Sequence, residues 1–150
     1  MTAHFDTSDG QIIATSDAAP GLRAAHPNFA LALQELVNAI KERHPDLGVT
    51  DAAALPERLL VTTSSSARHL IAFDRIDHRH TVTRLPERGH KAVGDFDLAS
   101  LRRDKEAVEL VALEHLAIGE RAVLVLRGVN PDPPIVTIRE TTPVLDVRSL

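Results

Sequence analysis

The chain has 150 residues, of which 43% are hydrophobic and 25% are charged, with a formal net charge of −4 and no cysteine. These values are ordinary for a globular domain. They exclude a disulfide framework and a largely disordered chain. Apolar runs such as residues 122–126 are far shorter than the roughly 18 to 20 residues that a membrane-spanning helix needs. We expect one cytoplasmic domain with no membrane contact.

The basic residues are 14 arginines and three lysines, and the aromatic ones are four Phe with no Trp or Tyr. The arginine excess could reflect contacts with phosphate or carboxylate, although a GC-rich bacterial genome explains it as well. So few aromatic residues leave little material for stacking single-stranded nucleic acid, and the acidic total disfavours general DNA binding. We therefore expect no nucleic-acid partner.

The N-terminal segment is polar and rich in small residues. A turn signal at residues 8–10 separates two short apolar stretches, which predicts a hairpin of residues 3–6 with residues 11–15. We interpret residues 1–25 as an N-terminal arm or edge hairpin, and residues 26–150 as a single α+β domain.

Apolar residues at helical spacing predict two main helices. The first, over residues 28–44, presents Phe29, Leu33, Leu36, Val37 and Ile40 on one stripe and ends before Pro45. The second is one broken helix or two abutting helices over residues 97–118. Its second part has apolar side chains around more than half of its circumference, and Gly119 is placed to end it.

Alternating and β-branched stretches predict strands after each helix. Three of them form a meander at residues 59–63, 69–73 and 80–85, with the serines of residues 64–66 as a hairpin loop. A surface loop is expected over residues 86–95. Further strands are expected at residues 121–127, 135–140 and 144–148, with a turn at residues 130–134 and a separation at Pro143.

The predicted fold class is therefore α+β, with two main helices packed on a largely antiparallel sheet and an N-terminal arm or hairpin. Because a helix and three strands occur twice, the chain could consist of two α-β-β-β repeats. The matches between the halves are short, such as Glu-Leu-Val at residues 35–37 and again at 109–111. Chance produces such matches as readily as duplication does.

The stretch IDHRHTV at residues 76–82 carries two histidines at alternate positions. On a regular strand, His78 and His80 point to the same face and could share a metal ion with His69 from a neighbouring strand. No ligand pair at a helical spacing of four accompanies them, and the arginines nearby disfavour a cation. We predict no metal site, and keep His69, His78 and His80 as the alternative.

The same region is the basic part of an acidic chain. Between Arg68 and Lys91 six basic residues face three acidic ones, so the segment could attract a small anion or an acidic surface. The candidate ligand-binding residues are Arg75, Arg79, His80 and Arg84. The alternative is a charge-mixed strand pair whose cations protect a sheet edge from aggregation.

Motifs for catalysis are weak. The serine run lacks the G-x-S-x-G context of a nucleophile, and the glycines form no phosphate-binding loop. His115 beside Glu114 could act as a general base from the second helix, or could be a core histidine. We lean towards a protein that is not an enzyme, with no catalytic residues and no cofactor.

Three functions remain open from the sequence. The leading one is a non-catalytic bacterial interaction or assembly module that works through strand edges, the N-terminal arm and the arginine-rich meander, with a protein partner or by self-association. The second is a small-anion or acidic-peptide binding protein. The third is a small metal- or histidine-dependent enzyme.

Overall fold

The computed structural model describes residues 1–50, 55–85, 105–128 and 136–150, and the structural statements that follow concern these residues. They form nine strands and one α-helix, with a short 3-10 helix at Pro45–Leu47. In chain order the elements are β1 (Ala3–Ser8), β2 (Gln11–Ser16), β3 (Arg23–His26), α1 (Phe29–Arg43), β4 (Arg58–Thr63), β5 (Arg68–Asp74), β6 (Arg79–Leu85), β7 (Ala107–His115), β8 (Arg121–Arg127) and β9 (Val136–Ser149).

The first three strands form an antiparallel sheet in the order β1-β2-β3. Asp9 and Gly10 form the tight turn between β1 and β2, and both have positive φ angles, 53° and 73°. Such a two-residue turn matches the twist of the strands it joins. The predicted hairpin is confirmed, and β3 extends it into a sheet.

Helix α1 packs its apolar face on this sheet, and the predicted helix over residues 28–44 is confirmed. Asn28 caps its start, because the side-chain Oδ1 accepts a hydrogen bond of 3.2 Å from the backbone N–H of Leu31. The rings of Phe5 and Phe29 lie 4.6 Å apart between β1 and the helix. The buried helical residues are Phe29, Ala32, Leu33, Leu36, Val37 and Ile40.

The remaining six strands form a closed antiparallel barrel in the order β4-β5-β6-β7-β8-β9. Alternate residues point inward, and their apolar side chains form the barrel core. The predicted strands near residues 59–63, 69–73, 80–85 and 121–127 are confirmed, as is the serine hairpin loop. Buried inward residues include Leu59, Val61, Ile71, Val82, Leu124 and Leu126.

The predicted fold class is wrong. The described residues contain one main α-helix, and Ala107–His115 of the second predicted helix is strand β7. Residues 97–104 of that prediction lie outside the described residues. A short run of alanine, leucine and valine fits a buried strand as well as a helix, and the free edges of β6 and β8 pair with its backbone on both sides. Tertiary pairing thus overrides helix propensity.

The two α-β-β-β repeats are wrong for the same reason, since the second helix that they require is a barrel strand. The strands predicted at residues 135–140 and 144–148 form one strand, β9, that continues through Pro143. The loop predicted over residues 86–95 and the turn predicted at residues 130–134 lie outside the described residues.

The N-terminal sheet and helix pack against the barrel and share its core. Backbone hydrogen bonds of 2.8 Å join Phe29 N–H to the Leu116 carbonyl and Ile118 N–H to the Pro27 carbonyl. The proposed boundary after residue 25 falls inside β3, one residue before its end. In the part of the chain that the structure describes, no helix is long and apolar enough to cross a membrane.

Candidate binding site

The two halves of β9 have different neighbours. Residues 136–140 and Pro143 pair with β8, with a register irregularity between them, whereas pairing with β4 begins at Val144 and continues to Ser149. Among the described residues, no strand pairs with the side of residues 136–142 that faces away from β8. We call this side the open edge of β9.

The second half of β9 is covered on the side where β8 has ended. There the Thr7 hydroxyl of β1 accepts a 2.7 Å hydrogen bond from the Val147 N–H and donates one of 3.0 Å to the Val147 carbonyl. The Ser149 hydroxyl likewise accepts a 2.7 Å bond from the Phe5 N–H. Both edges of this half therefore have partners.

Burial follows the same division. Residues 136–140 are all exposed, including Ile138 at 70% and Val136 at 53%, whereas Val144 and Val147 are fully buried. Proteins usually shorten, charge or cover such an edge, because unpaired N–H and C=O groups beside apolar side chains template pairing with another chain. The open edge of β9 combines the exposed apolar residues Val136 and Ile138 with the charged residues Arg139 and Glu140.

A cleft separates the open edge from the tip of the β4–β5 hairpin and the adjoining end of β6. Its volume is about 340 Å³, and Thr63, His69, Arg84, Arg139 and Thr141 are among its lining residues. A smaller cavity of about 100 Å³ continues into the barrel interior and shares His69, Arg84 and Arg139. We call the two together the cleft.

Strand register explains why these three side chains meet. His69 of β5 lies directly opposite Arg84 of β6, one alternate position beyond the buried pair Ile71 and Val82. Residues at alternate positions share a face, so both side chains point inward. Arg139 lies opposite the buried Leu124 and points inward from the other wall.

Among the charged side chains that line the cleft, arginines outnumber carboxylates. His69, Arg84, Arg127 and Arg139 face two carboxylates, Glu106 and Glu140. Arg127 also pairs with Glu109 of β7 at 3.2 Å, and Glu140 lies 3.9 Å from Arg121. The His69 side chain, which also lines the cleft, is buried, with 7% of its surface exposed.

Hydrogen bonds of hydroxyl groups connect the β4–β5 hairpin to β9 at one end of the cleft. The Thr142 hydroxyl donates a 3.0 Å hydrogen bond to the Ser65 hydroxyl, and the Ser65 N–H donates one of 3.3 Å back to Thr142 Oγ1. The Ser64 N–H donates a 2.8 Å bond to the Pro143 carbonyl. The serine run thus attaches the hairpin to β9 at the point where β9 changes partners.

The predicted ligand-binding residues do not converge. Arg75 pairs with Glu57, and Arg79 pairs with Asp77 at 2.9 Å and with Glu109 at 3.5 Å. The Arg79 end and the Arg84 end of β6 are about five residues apart, or roughly 17 Å of strand.

His80 lies at the Arg79 end of β6, with its ring 5.1 Å from that of Phe73. It lines a different, largely apolar groove beside α1. Of the four predicted ligand-binding residues, Arg84 is the one that lines the cleft.

The alternative metal ligands are also separated. His69 lies opposite Arg84, whereas His80 lies opposite Phe73, about 13 Å further along the strand pair. His78 lies in the β5–β6 turn with a φ of 50°, so it does not continue the strand alternation. The described residues include no group of three or more His, Asp or Glu side chains that could hold a metal ion.

His115 is not on a buried helical face, because β7 is a strand. Its Nε2 hydrogen bonds to Glu120 Oε2 at the barrel surface. The buried helical setting that both interpretations of His115 assumed, a core histidine and a general base, is therefore wrong.

Sequence reasoning missed the open edge and Arg139. The strand prediction for residues 135–140 contained Arg139, and its alternation could place Thr137 and Arg139 on one face. Which face points into a barrel depends on pairing with β8, which the sequence does not specify.

The described residues form a small closed antiparallel β-barrel with a cleft beside β9, and a three-stranded sheet and one α-helix pack against the barrel. Comparisons with protein-family models, with curated proteins and with solved structures gave no match. The residues themselves therefore carry the functional argument.

Proposed function

We propose that this protein is a non-catalytic interaction module that binds an extended segment of a partner protein by strand addition to the open edge of β9. The observation that carries the proposal is the change of partners along β9 at Pro143. This change leaves residues 136–140 paired with β8 on one side, while no strand of the described residues pairs with the other side of residues 136–142.

The open edge is long enough for this role. Seven residues of strand extend about 23 Å, which accommodates a segment of five to seven residues. In strand addition the main-chain hydrogen bonds supply affinity, and alternate side chains of the segment contact the two faces of the sheet. One face would meet Val136 and Ile138, and the other would meet Thr137 and Arg139.

Charge favours an acidic segment over a basic one. Arg84 and Arg139 line the cleft beside the open edge, in a chain with a net charge of −4. A segment with carboxylates would be attracted to these two arginines. The proposal therefore commits to an acidic extended segment of another protein.

The experiment selects binders from a displayed library of random peptides and maps the bound peptide by amide exchange. We expect selected peptides to slow the exchange of amides in residues 136–142. Ile138→Lys, which places a charge on the edge, should weaken binding about tenfold or more. Leu145→Lys is the matched control, because Leu145 is 55% exposed on the paired half of the same strand.

Three results would contradict the proposal. The library could yield no binder, the binders could protect amides elsewhere, or Ile138→Lys could bind as tightly as Leu145→Lys. Light scattering tests whether the edge binds a second copy of this chain. A dimer that dissociates in Ile138→Lys would show that the edge serves self-association. Slow exchange along the whole edge in the free monomer would show that other residues of this chain cover it.

A further inference from the structure

The geometry points to a carboxylate-binding subsite in the cleft, formed by Arg139 and Arg84 with His69. We infer that it receives an acidic side chain or the terminal carboxylate of the segment docked on β9. This inference rests on the proposed function for the source of the carboxylate. The proposed function uses Arg84 and Arg139 only as positive charge near the edge, whereas the subsite requires that they bind one carboxylate directly.

The arginines approach the same space from opposite walls. Arg84 points inward from β6 and Arg139 from β9, and both line the larger and the smaller cavity of the cleft. A guanidinium group offers planar, paired N–H donors that match a carboxylate. Two such groups that face one cavity can bind the two oxygens of a carboxylate.

His69 supplies the enclosed floor of the subsite. Its position opposite Arg84 places an imidazole and a guanidinium side by side on the inward face. Because only 7% of His69 is exposed, a group that reaches it leaves most of its water behind. Hydrogen bonds to a charged group are strengthened in such surroundings.

Hydroxyl groups and acidic residues set the specificity of the subsite. Thr63 and Thr141 line the same cavity and are nearly buried, at 1% and 8% exposure. Glu106 and Glu140 line parts of the cleft as well. They limit the excess of positive charge, so a single carboxylate fits the balance of charges better than a polyanion does.

Position along the edge connects the subsite with strand addition. Arg139 is an open-edge residue that points inward, while its neighbour Ile138 points outward. A segment paired with this edge presents alternate side chains to the same inward face. One acidic residue of the segment would then lie beside Arg139, and its apolar neighbours would lie beside Ile138.

The test uses three probes on the full chain: free glutarate, a seven-residue blocked peptide that alternates valine with glutamate, and the same peptide with glutamine. Binding is measured by calorimetry and mapped by amide exchange. The glutamine peptide should bind about tenfold or more weakly than the glutamate peptide. In Arg139→Gln this difference should disappear.

Arg23→Gln is the matched control, since it removes an exposed arginine from β3, away from the cleft. It should retain the preference for glutamate. Thermal unfolding of each variant without ligand shows that it is folded.

The outcomes separate the two proposals. Equal binding of both peptides with protection of residues 136–142 would overturn the subsite and leave strand addition standing. Glutarate binding that is lost in Arg139→Gln, without edge protection by either peptide, would support the subsite and contradict strand addition. Binding of none of the probes, or binding that Arg139→Gln leaves unchanged, would overturn the subsite.

Discussion

The hydroxyl of Thr7 bonds both backbone groups of Val147, at 2.7 Å from the N–H and 3.0 Å to the carbonyl. This one side chain provides hydrogen-bond partners for Val147 of β9 beyond the end of its pairing with β8. It also links the N-terminal sheet to the barrel. The open edge in the other half of β9 has no equivalent among the described residues. The contrast between the two halves is the basis for the proposed function.

We expect Thr7→Val to lower the free energy of unfolding by about 1–3 kcal/mol, because it leaves a partly buried N–H and C=O without a partner. Urea unfolding measures the change. Thr15→Val in β2 is the control, since among the described residues its hydroxyl makes no hydrogen bond. Equal stability of the two variants would show that the Thr7 contacts contribute nothing.

The start of α1 gives a second stability prediction. Asn28→Ala removes the cap of the first helical turn and should cost about 0.5–2 kcal/mol. Asn38→Ala is the control within the same helix. Asn38 is exposed, and among the described residues its side chain bonds only to Gln34. Alanine has a higher helix propensity than asparagine. A larger loss for Asn38→Ala than for Asn28→Ala would contradict the capping role.

The ionisation of Asp74 makes the free energy of unfolding depend on pH in the acidic range. Hydrogen bonds from the backbone N–H groups of Ile76 and then Asp77, with a smaller attraction from Arg79, hold the pKa of Asp74 below its ordinary value of 3.8. A lowered carboxyl pKa stabilises the folded state above the unfolded pKa, and this stabilisation is lost as pH falls through the folded pKa.

Asp74→Asn should therefore reduce the loss of stability between about pH 4 and pH 2. Urea midpoints across this pH range measure it. Parallel pH profiles for the wild type and the variant would contradict the assignment.

The exposed and buried halves of β9 should respond differently to mutation. Ile138→Lys should change the free energy of unfolding by no more than about 0.5 kcal/mol, as is usual for exposed positions. Val147→Ala should cost about 2 kcal/mol, because Val147 is fully buried. Strong destabilisation by Ile138→Lys would mean that Ile138 is packed against other parts of the chain.

The sequence predicts the local elements better than the architecture. Helix α1 and the strands around Val61, Ile71 and Val82 follow from periodicity, which reflects side-chain burial directly. Strand β7 does not, because its alanines and leucines fit either structure and its neighbours decide the outcome. Barrel closure depends on pairing between β4 and β9, which are about 80 residues apart in the chain.

The candidate site shows the same limit. Arg84 belonged to the predicted basic region, yet its neighbours in the cleft are His69 and Arg139 rather than Arg75, Arg79 and His80. Strand register sets these neighbours, and a local sequence pattern does not contain the register between distant strands. The open edge also arises from register, since it depends on where β9 leaves β8 and joins β4.

Amide exchange measured residue by residue by NMR tests the central claim most directly, with the protein alone and monomeric. In an antiparallel strand, successive amides point to opposite sides. We expect the amides that point to β8 in residues 136–140, the regularly paired part of the edge, to exchange slowly and the alternate ones to exchange rapidly, while the Val147 amide, bonded to Thr7, exchanges slowly. Uniformly slow exchange over residues 136–142 would contradict the open edge and, with it, the proposed function.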